Sequence, residues 1–210
     1  MVLPKNIESL TVKQFQELTK VYNSDKDVLD KGVEYVSILT GKTFDEVEAM
    51  DYKLIGEAFK HISKLMGTKP KETLRRYIVV NGKVYKACLR ADKFKAGQYI
   101  DLKNLSANDG WLDNMHLLLG CLYLPVNMFG FAKNYDGAKL KEISKDFEKA
   151  KIGDVYGLLF FYSSVLEKSS PIIQMYSEQA TETLKNHLTE MMSDTEFLQS
   201  VGGGDTSSIN

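Results

Sequence analysis

The sequence predicts an α+β protein dominated by helices, with one basic β-hairpin set between two helical portions. Three observations predict it. Apolar residues recur at helical intervals over most of the 210 residues. A single Asn81-Gly82 pair stands between two β-rich runs, and Asn-Gly supplies the positive φ that a two-residue hairpin turn needs at both positions. Nine of the 27 Lys+Arg crowd into residues 69–95, around that turn.

Taken in order, Thr11 and Gln14 have the spacing of a capping box. They precede Val12, Phe15, Leu18, Val21 and Tyr22 at helical intervals. Ser24 or Asp25 can cap a second helix that carries Val28, Leu29, Val33, Val36 and Leu39 to a stop at Gly41. Thr43 and Glu46 repeat the capping box for a short helix near 44–50. Asp51 opens a fourth, with Leu54, Ile55, Ala58, Phe59, Ile62, Leu65 and Met66 on one face and Gly67 as its C′ residue. Residues 1–68 thus read as a helical N-terminal unit.

The pattern then changes. Residues 77–80 and 83–89 are strand-like, and the two-residue loop pairs Val80 with Lys83, Val79 with Val84, Ile78 with Tyr85 and Tyr77 with Lys86. An isolated hairpin is marginal in water, so it must pack on helices or gain another strand. Residues 96–105 fit either period, and a short helix is favoured. Asn108 or Asp109 caps an almost wholly apolar, central helix through Trp111, Leu112, Met115, Leu118, Leu119 and Leu122, ended by Pro125. Residues 126–135 form an aromatic loop whose Phe129 and Phe131 plug the core or anchor in a partner; the core is favoured. Asp136 caps a helix with Leu140, Ile143, Phe147 and Ala150 on one face. Gly153 breaks it, and Asp154 restarts a buried helix over 155–168. Ser170-Pro171 opens a last helix to about Met192. The domain reading is therefore 1–68 helical unit, 69–200 hairpin plus helical bundle, and 201–210 flexible tail.

Composition sets limits on function. Hydrophobic residues make up 43% and charged residues 26%, with a net charge of −1, which excludes collagen, a disulfide scaffold and whole-chain disorder. No apolar run approaches the roughly 18–20 residues that span a bilayer. The first ten residues lack the layout of a signal peptide. Cys88 and Cys121 form no CxxC and no zinc-spaced cluster, so both read as buried small hydrophobes in a reducing cytoplasm.

Nothing in the sequence marks a reaction. Glu57 and His61 share a helix face at i,i+4 but lack the second half of a metal site. Asp113 and His116 read as a satisfied, half-buried histidine beside a carboxylate, and His187 lies on the polar side of the last helix. Neither nucleophile-elbow nor phosphate-loop signatures occur. The expectation is a protein that is not an enzyme, with no catalytic, cofactor or metal residues.

Charge is more informative. Residues 69–95 hold nine basic and two acidic residues, a net +7; residues 1–68 carry −2 and residues 96–210 carry −6. Three readings compete for this basic hairpin. It is a solvated edge whose charges discourage aggregation. It docks on an acidic surface, such as the −6 portion of a neighbouring copy, through Arg75, Arg76, Lys83, Lys86 and Arg90. Or it meets nucleic acid through cations interleaved with Tyr77, Tyr85 and Phe94, which the acidic remainder opposes.

The run Arg76-Tyr-Ile-Val-Val-Asn-Gly-Lys-Val-Tyr-Lys86, then Lys95-Ala-Gly-Gln-Tyr-Ile-Asp-Leu102, then Asp109 to Tyr123 and Leu124-Pro125, resembles a layout of small virion and tail-assembly proteins of tailed bacteriophages. The blend of Lys, Asn, Tyr and Ile suggests an AT-rich phage such as the crAss-like phages. The likeness covers about residues 74–125. It implies a noncatalytic role: a homo-oligomeric ring subunit of the tail, neck or portal-associated assembly, contacting other virion subunits, made in the host cytoplasm and located in the virion. A tail-assembly chaperone absent from mature particles is the runner-up, which the long N-terminal unit disfavours. Nucleic acid is a less favoured partner, and no membrane is expected.

Overall fold

The computed structural model describes residues 3–107 and 110–164. The helical portion forms much as its caps dictate. α1 (Val12–Tyr22) starts with a closed capping box: the Gln14 amide donates to Thr11 Oγ1 at 3.2 Å, and Gln14 Oε1 accepts from the Thr11 amide at 3.1 Å. α3 (Phe44–Glu48) repeats the device with Thr43 and Glu46. α4 (Tyr52–Met66) is capped by Asp51. α2 (Val28–Thr40) differs from expectation at its start. Its cap is Asp27, not Ser24 or Asp25, because Asp27 alone places a carboxylate oxygen on the free amides of Leu29 and Asp30, at 2.8 and 2.9 Å. Gly67, expected as a left-handed stop, keeps a right-handed φ of −72°. The faces of α2, α3 and α4 meet in a core of Val33, Val36, Val47, Ile55 and Ala58.

The hairpin has the expected register. β1 (Tyr77–Val80) and β2 (Lys83–Ala87) pair antiparallel, Tyr77 opposite Lys86 and Val80 opposite Lys83. Asn81 and Gly82 take φ of 51° and 74°, the left-handed pair a type I′ turn requires. The hairpin also gains a third strand. β3 (Tyr123–Pro125) pairs with β2, giving the order β1-β2-β3. The sequence places those residues at the end of a helix running to Pro125. Instead α6 (Met115–Leu122) stops at Leu122, whose carbonyl accepts from the Cys88 amide at 2.8 Å, and the Val126 amide donates to Val84 O at 2.9 Å. The pairing needs of the β2 edge override the helical pattern.

The start of α6 is shifted too. It begins at Met115, not near 108–109, and those two residues lie outside the described set. Residues 110–114 form a turn held from outside: buried Gln16 on α1 donates through Nε2 to the carbonyls of Leu112 and Asp113, at 2.6 and 2.9 Å. Trp111 is consequently exposed, while Met115, Leu118, Leu119, Cys121 and Leu122 are buried, as a central helix should be.

Residues 96–105 resolve as helix: α5 spans Ala96–Ser106. Asp136 caps a 3-10 turn, Gly137–Lys139, that runs into α7 (Leu140–Phe147). The following helix, α8, starts at 152 and is described to 164. The break between α7 and α8 therefore lies at 148–151, and Gly153, expected to make it, falls inside the first turn of α8, whose Ile152 amide donates to Leu10 O at 2.9 Å. At Gly157 the extended 69–76 segment crosses α8 so closely that an added Cβ would stand 2.3 Å from Thr73 O.

Met1–Tyr162 form one compact unit. The boundary expected at 68/69 lies inside it, since Val12 N donates to Ala150 O at 2.8 Å and Lys13 N to Glu148 O at 3.1 Å. Ser163–Asn210 form a second unit. The helix expected after Pro171, His187 and the 201–210 tail lie outside the described residues.

Candidate docking face

Strand alternation divides the sheet into two faces. The inner face carries Ile78, Val80, Tyr85, Ala87 and Tyr123, all buried. Tyr85 and Tyr123 contact Phe147 of α7, with ring centroids 4.9 and 5.8 Å apart. Beside this contact sits Asp146, a buried carboxylate that accepts from Tyr85 OH at 2.6 Å, Asn81 Nδ2 at 2.8 Å and Lys83 Nζ at 2.9 Å. Burial pushes the Asp146 carboxyl up, but the bonds from Lys83, Tyr85 and Asn81 outweigh it and hold the group below its ordinary value. The hairpin turn is thus pinned to α7, and its position relative to the helices is set.

The outer face is open. Tyr77, Val79 and Val84 are exposed on it, Val79 by 69%. The 126–135 loop continues the same surface. A bridge from Val126 to Ala132 closes its base, and Asn127 Oδ1 accepts from the amides of Phe129 and Phe131 at 3.0 and 2.9 Å. That side chain holds the loop tip in shape, and it presents Met128, Phe129 and Phe131 at 91%, 76% and 69% exposure. The expectation that Phe129 and Phe131 plug the core is corrected: Tyr85, Tyr123 and Phe147 already fill the space under the sheet. An open groove of about 680 Å³ runs between hairpin and loop, lined by Tyr77, Val84, Pro125, Val126, Met128 and Lys133. Clustered apolar side chains with a basic rim mark an interaction surface better than scattered ones.

The five cations singled out in the sequence fall into two groups. Arg75 Nε lies 3.1 Å from Asp154 Oδ1, Lys83 bonds Asp146, and Arg90 grips Asp92 through Nε at 3.1 Å and Nη2 at 2.5 Å. The acidic partners of Arg75 and Lys83 thus come from the −6 portion of their own chain. Arg76 is exposed and forms no ion pair among the described residues. Lys86 places its ammonium 5.5 Å from the Tyr77 ring centroid on the outer face, a cation–π contact. Sequence reasoning favoured the core for the loop-tip rings Phe129 and Phe131, and missed Met128 and Asp146. The signal for the first was Asn127 followed by Gly130, a loop-forming pair rather than a buried run.

The candidate chemical groups are otherwise engaged. His61 Nε2 donates to Pro4 O at 2.8 Å. Asp113 pairs with Lys20 at 2.6 Å, while burial lowers the pKa of His116, whose Nδ1 faces Gln16 Nε2 at 3.4 Å. Burial pushes the Cys121 thiol up to about 12 and raises that of Cys88. Cys121 is buried as expected; Cys88 is only half-buried. Among the described residues no group of three or more His, Cys, Asp or Glu could hold a metal ion, and no helix is long and apolar enough to cross a membrane.

The Gly97–Leu102 run has structural uses. Gln98 is buried and donates to Cys121 O at 2.8 Å, where α6 gives way to β3. Asp101 accepts from the Tyr135 hydroxyl, which ties the far end of the aromatic loop to α5. Leu102 is fully buried. These contacts support the docking face from behind. Compared with known proteins, the chain matches no family model, no curated protein and no solved structure.

Proposed function

We propose that this chain is a noncatalytic assembly protein, which works by presenting the outer face of its sheet and the 127–131 loop to other subunits. The observation that carries the reading is the loop tip. Met128, Phe129 and Phe131 are exposed, yet Asn127 spends its side-chain oxygen on holding that loop in one shape. An ordered display of aromatic side chains suits an interface, where such residues dominate affinity. On the resemblance in residues 74–125, the assembly is a ring in the tail, neck or portal-associated part of a tailed phage, with the protein located in the virion.

Light scattering coupled to size exclusion, with negative-stain micrographs of the full chain, tests the first part. Closed rings or a defined oligomer are expected, and a monomer at tens of micromolar overturns self-assembly. Mass spectrometry of purified virions tests the second: stoichiometric presence is expected, and absence turns the reading to a tail-assembly chaperone. The cations without ion pairs also support a nucleic-acid interface. A filter-binding titration at about 50 mM salt, where such binding is strongest, separates it, since no retention there removes that alternative.

A further inference from the structure

We propose that the outer edge of β1 accepts an acidic, extended segment of a partner subunit as a fourth strand; this rests on the docking-face reading and names what the face takes. The bonding pattern shows that the edge is open. The Ala87 amide donates to Arg76 O at 2.9 Å, so in the antiparallel register Arg76, Ile78 and Val80 turn their main-chain groups toward β2. Those of Tyr77 and Val79 point the other way, and among the described residues nothing bonds them. The opposite edge of the sheet is closed. There Lys133 N donates to Pro125 O at 2.8 Å and Asn127 N to Phe131 O at 2.9 Å. One edge is therefore available for strand addition, with Tyr77, Val79 and Val84 as an apolar platform for alternate side chains of the incoming segment.

Charge selects the occupant. Residues 69–95 hold two acidic residues, and both are already engaged, Glu72 with Lys69 at 3.9 Å and Asp92 with Arg90 at 2.5 Å. Lys71, Arg76, Lys93 and Lys95 form no ion pair among the described residues. Arg76 directly precedes β1, and Lys86 sits over Tyr77 on the platform. Two β1 edges brought together would oppose like charges, which is destabilising. An extended segment bearing carboxylates gains main-chain bonds and relieves that repulsion.

The probe is a fluorescein-labelled, N-acetylated octapeptide of alternating glutamate and valine, titrated by anisotropy into the full chain. Saturable binding is expected, weakened about tenfold between about 50 and 300 mM salt. It should be abolished when lysine replaces glutamate, and when alternate peptide amides are N-methylated. Arg76→Glu should weaken it about fivefold. Val79→Pro, which removes an outward amide and no hydrogen bond to β2, should weaken it with circular dichroism unchanged; should that variant misfold, the N-methylated peptide makes the same test. Equal binding of the N-methylated peptide, equal binding of the lysine peptide, or no binding overturns the proposal. So does a single-stranded oligonucleotide that binds in an Arg76-dependent way while the peptide does not. Rings that form without peptide binding sink the strand-addition idea alone. A monomer that binds the peptide sinks self-assembly alone.

Discussion

The Asp146 carboxylate, near the end of α7, is buried and receives three hydrogen bonds from the hairpin. Asp146→Asn should lower the unfolding free energy near pH 7 by about 1–3 kcal/mol, since the amide leaves one acceptor oxygen for three donors and removes the charge that Lys83 faces. The sign with pH follows from the depressed value. The unfolded chain binds the proton more readily, so the group's contribution is full above about pH 4 and is lost as pH falls through the folded value. Urea unfolding of both proteins at about pH 7, 5 and 3 checks this. A gap that stays constant to the lowest pH would count against the assignment. Cys121 offers a second test at this scale. Its buried thiol, raised to about 12, should react with a disulfide reagent at least about a hundredfold more slowly in native protein than in urea. Equal rates would mean the thiol is reached without unfolding.

Between elements, the most constrained contact is the crossing of the 69–76 segment over α8. Gly157 leaves room there for the Thr73 carbonyl. Gly157→Ala should cost about 1–3 kcal/mol by overpacking and release the segment leading into β1. A lower melting temperature together with new protease sensitivity at Lys69, Lys71 or Arg75 checks this. An unchanged melt would show that the crossing relaxes freely. The loop tip predicts the opposite behaviour. Phe129 and Phe131 touch solvent, so replacing both with serine should leave stability within about 0.5 kcal/mol while weakening assembly. Thermal melts and light scattering on one sample read both effects, and a large loss of stability would return these rings to the core.

For the whole molecule, the cations separate into those that hold the chain together and those turned outward. Reversing Arg75 and Lys83 to glutamate sets like charges against Asp154 and Asp146, and should lower the melting temperature by several degrees. Reversing Arg76 and Lys86 should leave the melt nearly unchanged yet weaken partner binding. Size exclusion paired with calorimetry distinguishes the two pairs, and identical behaviour would remove the division.

The amino-acid sequence by itself determined the local units: the capping boxes at Thr11 and Thr43, the opening of α4 at Asp51, and the Asn81-Gly82 turn with its register. Each depends on residues within a few positions, so neighbouring side chains decide it. It also marked residues 69–95 as the basic part, because charge is additive along a chain. Tertiary structure decided where α6 ends, since the Cys88 amide takes the Leu122 carbonyl from across the fold. It decided that Gln16 holds the 110–114 turn and that Phe129 and Phe131 face outward, the space under the sheet being already filled. It decided as well which cations Asp146 and Asp154 neutralise. Those outcomes join groups dozens of residues apart, and periodicity carries no record of which distant partner arrives first at an unpaired carbonyl or an empty volume.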